Sequence, residues 1–598
     1  KDSVTTPIRI VYNCSCRAND SSPCLNDCLA TYPPIMTDLT EILVRFRMYK
    51  YAVTADIEKA FLHIELDVDD RDVTRFYWLE NPMDTESRLI TYRFKVVLFG
   101  ATCSPFMLSA TLMKHFRDNP STTSTELQRN VYVDNVLTSF TDKQSLLKFY
   151  TESRKLLSEA GFNLRSWNSN STELQNVAGR DKIGDNDDIV KILGMRWDRE
   201  SDDLKFQQIE FMEKNKMITK REVLRTSSRI FDPLGLITPI TVKAKLFMQT
   251  LWKAKLDWDE CLSDELRSKW QVIALDIEEA TKIVFPRMLT EGVINEKTSL
   301  HIFTDASQLA YGACAYLVTA NSSVIVMAKN RVVPVKPISL PRLELMGALI
   351  GARLATHLLK VITTEHVYMW SDSQIVLSWI KSSKNLKPFV ANRLKEIRKL
   401  TENAEWNYCP TDDNPADYLT RGIYAKQLYN NSLWMNGPQW ILNRENWPTW
   451  TRKIEDCSTM VTVSDDNTDD ESTNASTQTI SCIDIQRYRS LEKAIRVTAY
   501  VLRFIQNLRN SKDKRSIGFI SVEERCKALK VLIVTVQQET FKDEIESLNS
   551  SSQKKVPLVR QLKLYTDKNG LLRSTGRIQN APVKESTKYP LLLPTHHS

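Results

Sequence analysis

The sequence predicts a multidomain chain of mixed α/β and α+β class. Three observations carry that reading. The chain has 598 residues with 42% hydrophobic content, enough for several separately cored domains. Short β-type runs end at single acids and turn into helical patterns, as at Asp56 and Asp372. Between residues 300 and 422, three strand patterns are followed by helix, strand, helices, strand and helix, an alternation typical of α/β and α+β domains.

Bulk properties narrow the function classes. The formal charge of +8 and pI near 8.7 permit a polyanionic partner. No apolar run approaches the length of a membrane span, and the N-terminus lacks the order of a signal peptide. Eleven cysteines in a chain of this size fit a reducing compartment, not a disulfide scaffold. Both ends read as cut, at Lys1 without a start Met and at Ser598 after His596-His597.

A strand-like run, Ile8 to Tyr12, opens the chain. Cys14, Cys16, Cys24 and Cys28 follow, without the second CxxC pair or nearby His of a zinc site, in a Ser/Asn/Asp-rich loop leading to a helix. Thr37 or Asp38 is placed to cap that helix, Leu39 to Arg47. A β-type run from Tyr51 ends at Asp56, and Phe61 to Leu66 passes from helix to strand. Thr74–Leu79 and Ile90–Val96 read as paired strands. Leu98-Phe99-Gly100 breaks toward Pro105, where a helix through His115 starts. Asn130 to Thr138 is apolar on both sides of Asp134-Asn135, the pattern of a tight β-hairpin with a polar tip. Taken singly, Asp56 reads more readily as a helix cap and Asp134 as a turn residue than as site residues.

Residues 171–297 show no catalytic constellation. Thr219 to Leu224 opens a helix, the helix bearing Phe247, Leu251 and Trp252 is amphipathic, and Trp258-Asp259-Glu260 is a solvated turn. The next block places four acids at defined positions. Asp305 closes a strand begun at Leu300, Glu344 rides a long helix from Leu340, Asp372 follows the strand Val367 to Trp370, and Asp417 follows Asn414-Pro415-Ala416. Converging carboxylates are what a two-metal phosphodiester hydrolase needs, and it is the resemblance given below that singles out these four among the acids of the block. Residues 453–485 are acidic and poor in hydrophobics, a disordered linker by composition. Helical patterns return at Leu491–Leu508 and Val522–Leu548, with a hairpin turning at Asn569-Gly570.

Strand–Asp56–helix, then Phe99-Gly100 to Pro105, then Tyr132-Val133-Asp134-Asn135 resembles the palm of a reverse transcriptase. The block from Leu300 to Gly422 resembles RNase H. Finer wording is similar to the BEL/Pao group of LTR retrotransposons: Ser22 to Leu29, Arg45-Phe46-Arg47, Gly161 to Asn170, Ile192 to Asp198 and Phe231 to Pro239. The resemblance implies a fragment of a Pol polyprotein. Its parts would be N-terminally truncated fingers and palm (1–200), thumb and connection (201–297), an RNase H-like mixed sheet with helices (298–425), a tail with acidic linker (426–485), and a helical segment reaching the start of an integrase zinc-binding domain (486–598).

The same resemblance implies site roles. Asp56 and Asp134 would bridge two Mg²⁺ or Mn²⁺ ions. Asn135 stands where the family usually has a second acid, so polymerisation is expected to be weakened. Phe61 corresponds to a steric gate, Phe99 and Gly100 to substrate contacts, and Arg9 to a triphosphate-binding arginine. Asp305, Glu344, Asp372 and Asp417 would hold the two metals of the RNase H, in which the loop 410–414 lacks the family's usual His. Implied partners are an RNA template, DNA primer, dNTPs, an RNA–DNA hybrid and the rest of the Pol and Gag polyproteins, with no membrane. The implied location is a cytoplasmic virus-like particle or the nucleus. Two rival readings are a decayed or host-adopted copy that binds nucleic acid without polymerising, and an aspartic protease centred on Asp305-Ala306-Ser307.

Overall fold

The computed structural model describes residues 12–30, 37–185, 187–209, 218–384, 386–449, 491–509, 515, 520–549, 556–567, 570–575 and 589–594. The chain divides into two compact units, residues 1–463 and 464–598. The linker composition noted at 453–485 and His596-His597 lie outside the described residues.

In the first unit, a short helix α1 (Leu25–Cys28) precedes α2 (Leu39–Met48). Asp38 caps α2 by accepting from the Thr40 and Glu41 amides, which settles the choice between Thr37 and Asp38. Strand β1 (Tyr51–Ile57) follows, then the hairpin β2 (Arg75–Leu79) and β3 (Leu89–Arg93). Helices α3 (Ser104–Asp118) and α4 (Thr122–Asn130) lead to β4 (Val131–Tyr132), β5 (Asn135–Phe140), α5 (Lys143–Glu159), β6 (Leu164–Ser169) and α6 (Thr172–Arg180). The sheet order is β4-β5-β1-β6, all antiparallel, so β1 is a central strand. Its alternation explains the choice of residues. Val53, Ala55 and Ile57 enter a core with Leu108 of α3 and Phe149 of α5, while Ala52 on the opposite face joins the core that holds Ile42 and Phe46 of α2.

The next sheet is small: β7 (Ile189–Ile192), β8 (Met195–Asp198), β9 (Asp203–Lys205) and β10 (Phe285–Pro286), ordered β10-β9-β8-β7. The boundary expected at residue 200 falls inside it, because the β8–β9 hairpin pairs Asp198 with Asp203 across that point. Between β9 and β10 lie α7 (Lys220–Ser227), α8 (Thr238–Lys253) and α9 (Asp264–Ala280). Phe247 and Leu251 of α8 are buried, but Trp252 is 52% exposed, and the Lys220 ammonium sits 3.5 Å above its ring.

Five strands follow: β11 (Ser299–Ala306), β12 (Ala310–Val318), β13 (Ser323–Val332), β14 (His366–Ser371) and β15 (Ala404–Tyr408). Their order is β13-β12-β11-β14-β15. The first three are antiparallel, and β14 and β15 run parallel to β11. Helix α10 (Leu340–Leu358) packs on β11 and β12, and α11 (Gln374–Lys381), α12 (Pro388–Leu400) and α13 (Asp417–Arg421) complete the domain.

Two buried arginines bind these parts into one body. Every hydrogen bond recorded for the Arg47 guanidinium ends on a backbone carbonyl: Arg287 and Pro286 beside β10, and Ile325 and Val326 of β13. Arg287 in turn grips Asp202 through two nitrogens at 2.6 and 2.8 Å, and reaches the carbonyls of Phe46, Tyr49 and Lys50. Both side chains are fully buried. The palm, the small sheet and the five-stranded sheet therefore meet along a dry, satisfied seam.

The second unit contains helices Leu491–Arg509, Val522–Thr540 and Lys542–Asn549. The helical pattern expected over 522–548 thus breaks at Phe541, whose conformation is non-helical. The expected hairpin forms from Leu564–Thr566 and Leu572–Ser574. Buried Gln537 ties it down, exchanging side-chain hydrogen bonds with the Leu572 backbone and donating to the Leu592 carbonyl. Arg503 of the first of these helices is paired with Glu524 of the second at 2.7 Å.

The N-terminal cysteines form no cluster. Cys14 and Cys24 are buried and Cys16 and Cys28 exposed, all as free thiols. Among the described residues no zinc-type group forms there.

Candidate active sites

The first site lies at the open end of the palm sheet. Register sets it: Asp56 of β1 faces Asn135 of β5, and Tyr132 faces Asn135 across the hairpin. The turn residues are Val133 and Asp134, and Val133 has φ +58. A β-branched residue in that region is strained, a cost of about 1–3 kcal/mol that surrounding structure must impose. Here the Ile57 amide donates to the Asp134 carbonyl at 2.7 Å and fixes the turn beside β1. Asp56 is partly buried. Burial raises its carboxyl above the ordinary range; a Ser166 hydrogen bond and Arg165 oppose this, and Asp134 and Asp185 reinforce it. The Asn135 amide nitrogen donates to Asp134 Oδ1 at 2.8 Å.

Two of the expected substrate contacts, Phe61 and Phe99, lie against each other. The Phe61 ring meets Phe99 edge-on at 5.2 Å, and Gly100 has φ +110. Asn26 clasps this loop, donating to the Gly100 carbonyl at 3.1 Å and accepting from the Thr102 amide at 2.9 Å. The sequence reading did not single out Asn26 as a site residue, although it lies in the family-like stretch Ser22 to Leu29. Arg9 lies outside the described residues.

The second site is built on the five-stranded sheet. Asp305 is next to last on β11 and 4% exposed. Parallel pairing of β11 with β14 aligns Thr304 with Ser371, so Asp372 emerges beside it. Ser373, not Asp372, caps α11, which leaves the Asp372 carboxylate to the site. Glu344 arrives on the first turns of α10. A Cβ at Gly347 would stand 2.7 Å from the Asp305 carbonyl oxygen, and one at Gly351 2.4 Å from Thr304 Cγ2. Glycines at these two positions let the helix lie close enough to deliver Glu344.

Ligand oxygens of Asp305, Glu344 and Asp372 all lie within 4.8 Å of one another. Asp417 is not in that group. Its Oδ1 stands 2.9 Å from Arg421 Nε but makes no aligned hydrogen bond. Thr420 Oγ1 donates to Asp305 Oδ2 at 2.5 Å, and Thr411, from the loop without a His, donates to Asp372 Oδ2 at 3.2 Å. Burial, then the charge of Asp372, pushes Asp305 up to about 7. Burial, then Asp305 and Asp372, pushes Glu344 up to about 9. Burial also raises Asp372 and Asp417.

Glu344 Oε2, Asp372 Oδ1 and Asp417 Oδ1 are buried without hydrogen-bond partners. Orphaned carboxylate oxygens on converging side chains suit a hard divalent cation, so the donor set fits one. The surroundings of Asp305 also count against the protease reading: it is buried within β11, among acids from a helix and a parallel strand, and not in an open loop.

Fold and sites together define an enzyme with a polymerase-type palm followed by an RNase H-like domain. Family models agree. Residues 17–196 match the reverse transcriptase (RNA-dependent DNA polymerase) model, and residues 219–373 match the Pao retrotransposon-like RNaseH-like domain. The chain thus carries a reverse transcriptase-like region, 17–196, followed by a region, 219–373, that matches the Pao retrotransposon-like RNaseH-like domain. Among solved structures, the foamy viral protease-reverse transcriptase in complex with RNA/DNA hybrid is 14% identical, with TM-score 0.44, covering 65% of this chain and 48% of that chain. The foamy viral protein in complex with dsDNA is also 14% identical, with TM-score 0.43, covering 65% of this chain and 73% of that one. The chain spans about half the length of the first of these. No curated protein matches it.

Proposed function

We propose that this chain is an RNA-directed DNA polymerase with ribonuclease H activity on RNA–DNA hybrids, in which Asn135 weakens the polymerase. The observation that carries the reading is the convergence of Asp305, Glu344 and Asp372 within 4.8 Å. Divalent cations, Mg²⁺ or Mn²⁺ and two per site, would activate the attacking oxygen and stabilise the leaving one. The chain's own residues hold and orient. Thr420 and Thr411 fix the carboxylates of Asp305 and Asp372, and α10 carries Glu344 against them. Asp56 and Asp134 do the same in the palm for primer and dNTP, with Phe61 beside Phe99 at the sugar. The substrates are template RNA, DNA primer and hybrid, held mainly through phosphates, so binding weakens with salt. The chain acts beside the rest of a Pol and Gag polyprotein, in a virus-like particle or the nucleus.

A second reading, nucleic-acid binding without polymerisation, is favoured by one contact. Asn135 removes a negative charge and also directs an N–H at Asp134 Oδ1. Primer extension on RNA and cleavage of a labelled hybrid, measured on one preparation, separate the readings. Asp56→Asn should abolish extension only, Asp372→Asn cleavage only, and Asn135→Asp should speed extension at least tenfold. Extension by the native chain as fast as by Asn135→Asp would remove the argument from Asn135. Loss of neither activity in its matched variant would remove the proposal.

A further inference from the structure

Arg421 is a cation whose charge acts on Asp305, Asp372 and Asp417 of the second site. It closes α13, four residues after Asp417, and its Nε stands 2.9 Å from Asp417 Oδ1. Three features make this more than a helix-surface pair. The contact lacks hydrogen-bond alignment, since Asp417 Oδ1 has no hydrogen-bond partner. The Arg421 side chain is 63% exposed while that of Asp417 is 23% exposed, so the cation can leave and the acid cannot. Finally, α13 and the loop before it are fastened to β11 and the residue after it by bonds that do not involve Arg421. Thr420 Oγ1 donates to Asp305, Ser307 Oγ donates to the Thr420 carbonyl, and Asn414 Nδ2 donates to the Thr304 carbonyl. The guanidinium is thus held at the rim of the acid group on a rigid base with a free end. Its field also reaches beyond its partner, favouring the charged forms of Asp305 and Asp372 as well as Asp417.

We propose that Arg421 is an exchangeable cation of this site: it neutralises Asp417 in the arrangement seen here and passes to a backbone phosphate of the bound nucleic-acid strand, freeing Asp417 to join Asp305, Glu344 and Asp372. The proposal rests on the nuclease reading above. Guanidinium suits the task because its planar fork matches phosphate as well as carboxylate. An Arg at this place also supplies positive charge at a site whose loop 410–414 has no His.

The test uses the full chain and compares Arg421→Gln and Arg421→Lys with the native protein. Mn²⁺ affinity is measured calorimetrically without nucleic acid. Removing a positive charge beside the acids should tighten Mn²⁺ binding about tenfold in Arg421→Gln, and Arg421→Lys should stay near native. Affinity for an RNA–DNA hybrid is then measured with Ca²⁺ across a salt series. Loss of one phosphate contact should weaken binding several-fold and reduce the salt slope by about one in Arg421→Gln, with Arg421→Lys largely restored. Unchanged Mn²⁺ affinity in Arg421→Gln overturns the neutralising role, and an unchanged salt slope overturns the phosphate contact. If the native chain binds no hybrid, the nuclease reading fails by itself, and the phosphate half of this proposal fails with it. The Mn²⁺ titration still decides the other half.

Discussion

Glu344→Gln should make the metal-free protein more stable at alkaline pH while destroying the site. An isolated Glu ionises near 4.5, but in the fold Glu344 is held up to about 9 by burial and by Asp305 and Asp372. At pH 8 the folded protein therefore keeps a proton that the unfolded chain has released, and folding must bear that difference. Stability from this group is fully present below about pH 4.5 and drains away as the pH climbs toward 9. At a separation of 4.8 Å, each ionised neighbour disfavours the Glu344 carboxylate by about 3 kcal/mol at an effective dielectric constant near 20. Glutamine ionises in neither state. With the group near 9 folded and 4.5 unfolded, the variant should gain about 4–5 kcal/mol over the native chain at pH 8 in chelator, and about 1 kcal/mol or less at pH 5. Urea unfolding followed by tryptophan fluorescence is suited to this, because Trp370, fully buried two residues before Asp372, reports on the same sheet. No gain at pH 8, or an equal gain at both pH values, would refute the reasoning.

Three further outcomes are expected. Divalent cation should raise the melting temperature more at pH 8 than at pH 6, because it needs the carboxylates deprotonated and Asp305 is held up to about 7; an equal rise at both pH values would count against a carboxylate site. Gly347→Ala puts a Cβ 2.7 Å from the Asp305 carbonyl oxygen, so α10 must retreat. Stability should fall by about 1–3 kcal/mol in urea unfolding, and hybrid cleavage should fall with it. Arg47→Met leaves the carbonyls of Pro286, Arg287, Ile325 and Val326 without their buried donor. Unfolding should become easier by at least about 3 kcal/mol, and limited proteolysis should find new cuts near residues 286 and 326.

Much of both sites was legible in the sequence because each key acid sits where a regular element ends. The strand patterns ending at Asp56, Asp305 and Asp372 placed those residues at sheet ends, and alternation around Asp134 gave the hairpin. What the sequence hid were encounters between distant segments. Arg47 looks like a surface residue of an amphipathic helix, and only the fold reveals carbonyls some 240 residues away. The boundary placed at residue 200 cuts the β8–β9 hairpin because β9, Asp203–Lys205, is too short to show a pattern in the sequence. Asp417 was grouped with the other acids by order alone, whereas the fold leaves it outside the three that converge and beside its i,i+4 neighbour Arg421. One signal was available and unused. Gly347 and Gly351, four apart in an otherwise apolar helix, mark a face that something must approach closely. The amide at 135 was visible from the start, but its bond to Asp134 was not.

The arginine seam has a consequence for geometry between the two sites. Chain connection does not set their separation, since the segment from Glu291 to Thr298 only joins parts already locked through Arg47 and Arg287. The seam is made of main-chain carbonyls and one bidentate carboxylate, all bound to two arginines that are fully buried. Under the proposed function, a stiff hybrid lying across both sites is held as in a caliper with its screw tightened. The number of base pairs between the last nucleotide added and the first strand cut would then be constant. Lengthening the loop 291–298 should leave that number alone, whereas loosening the seam should blur it.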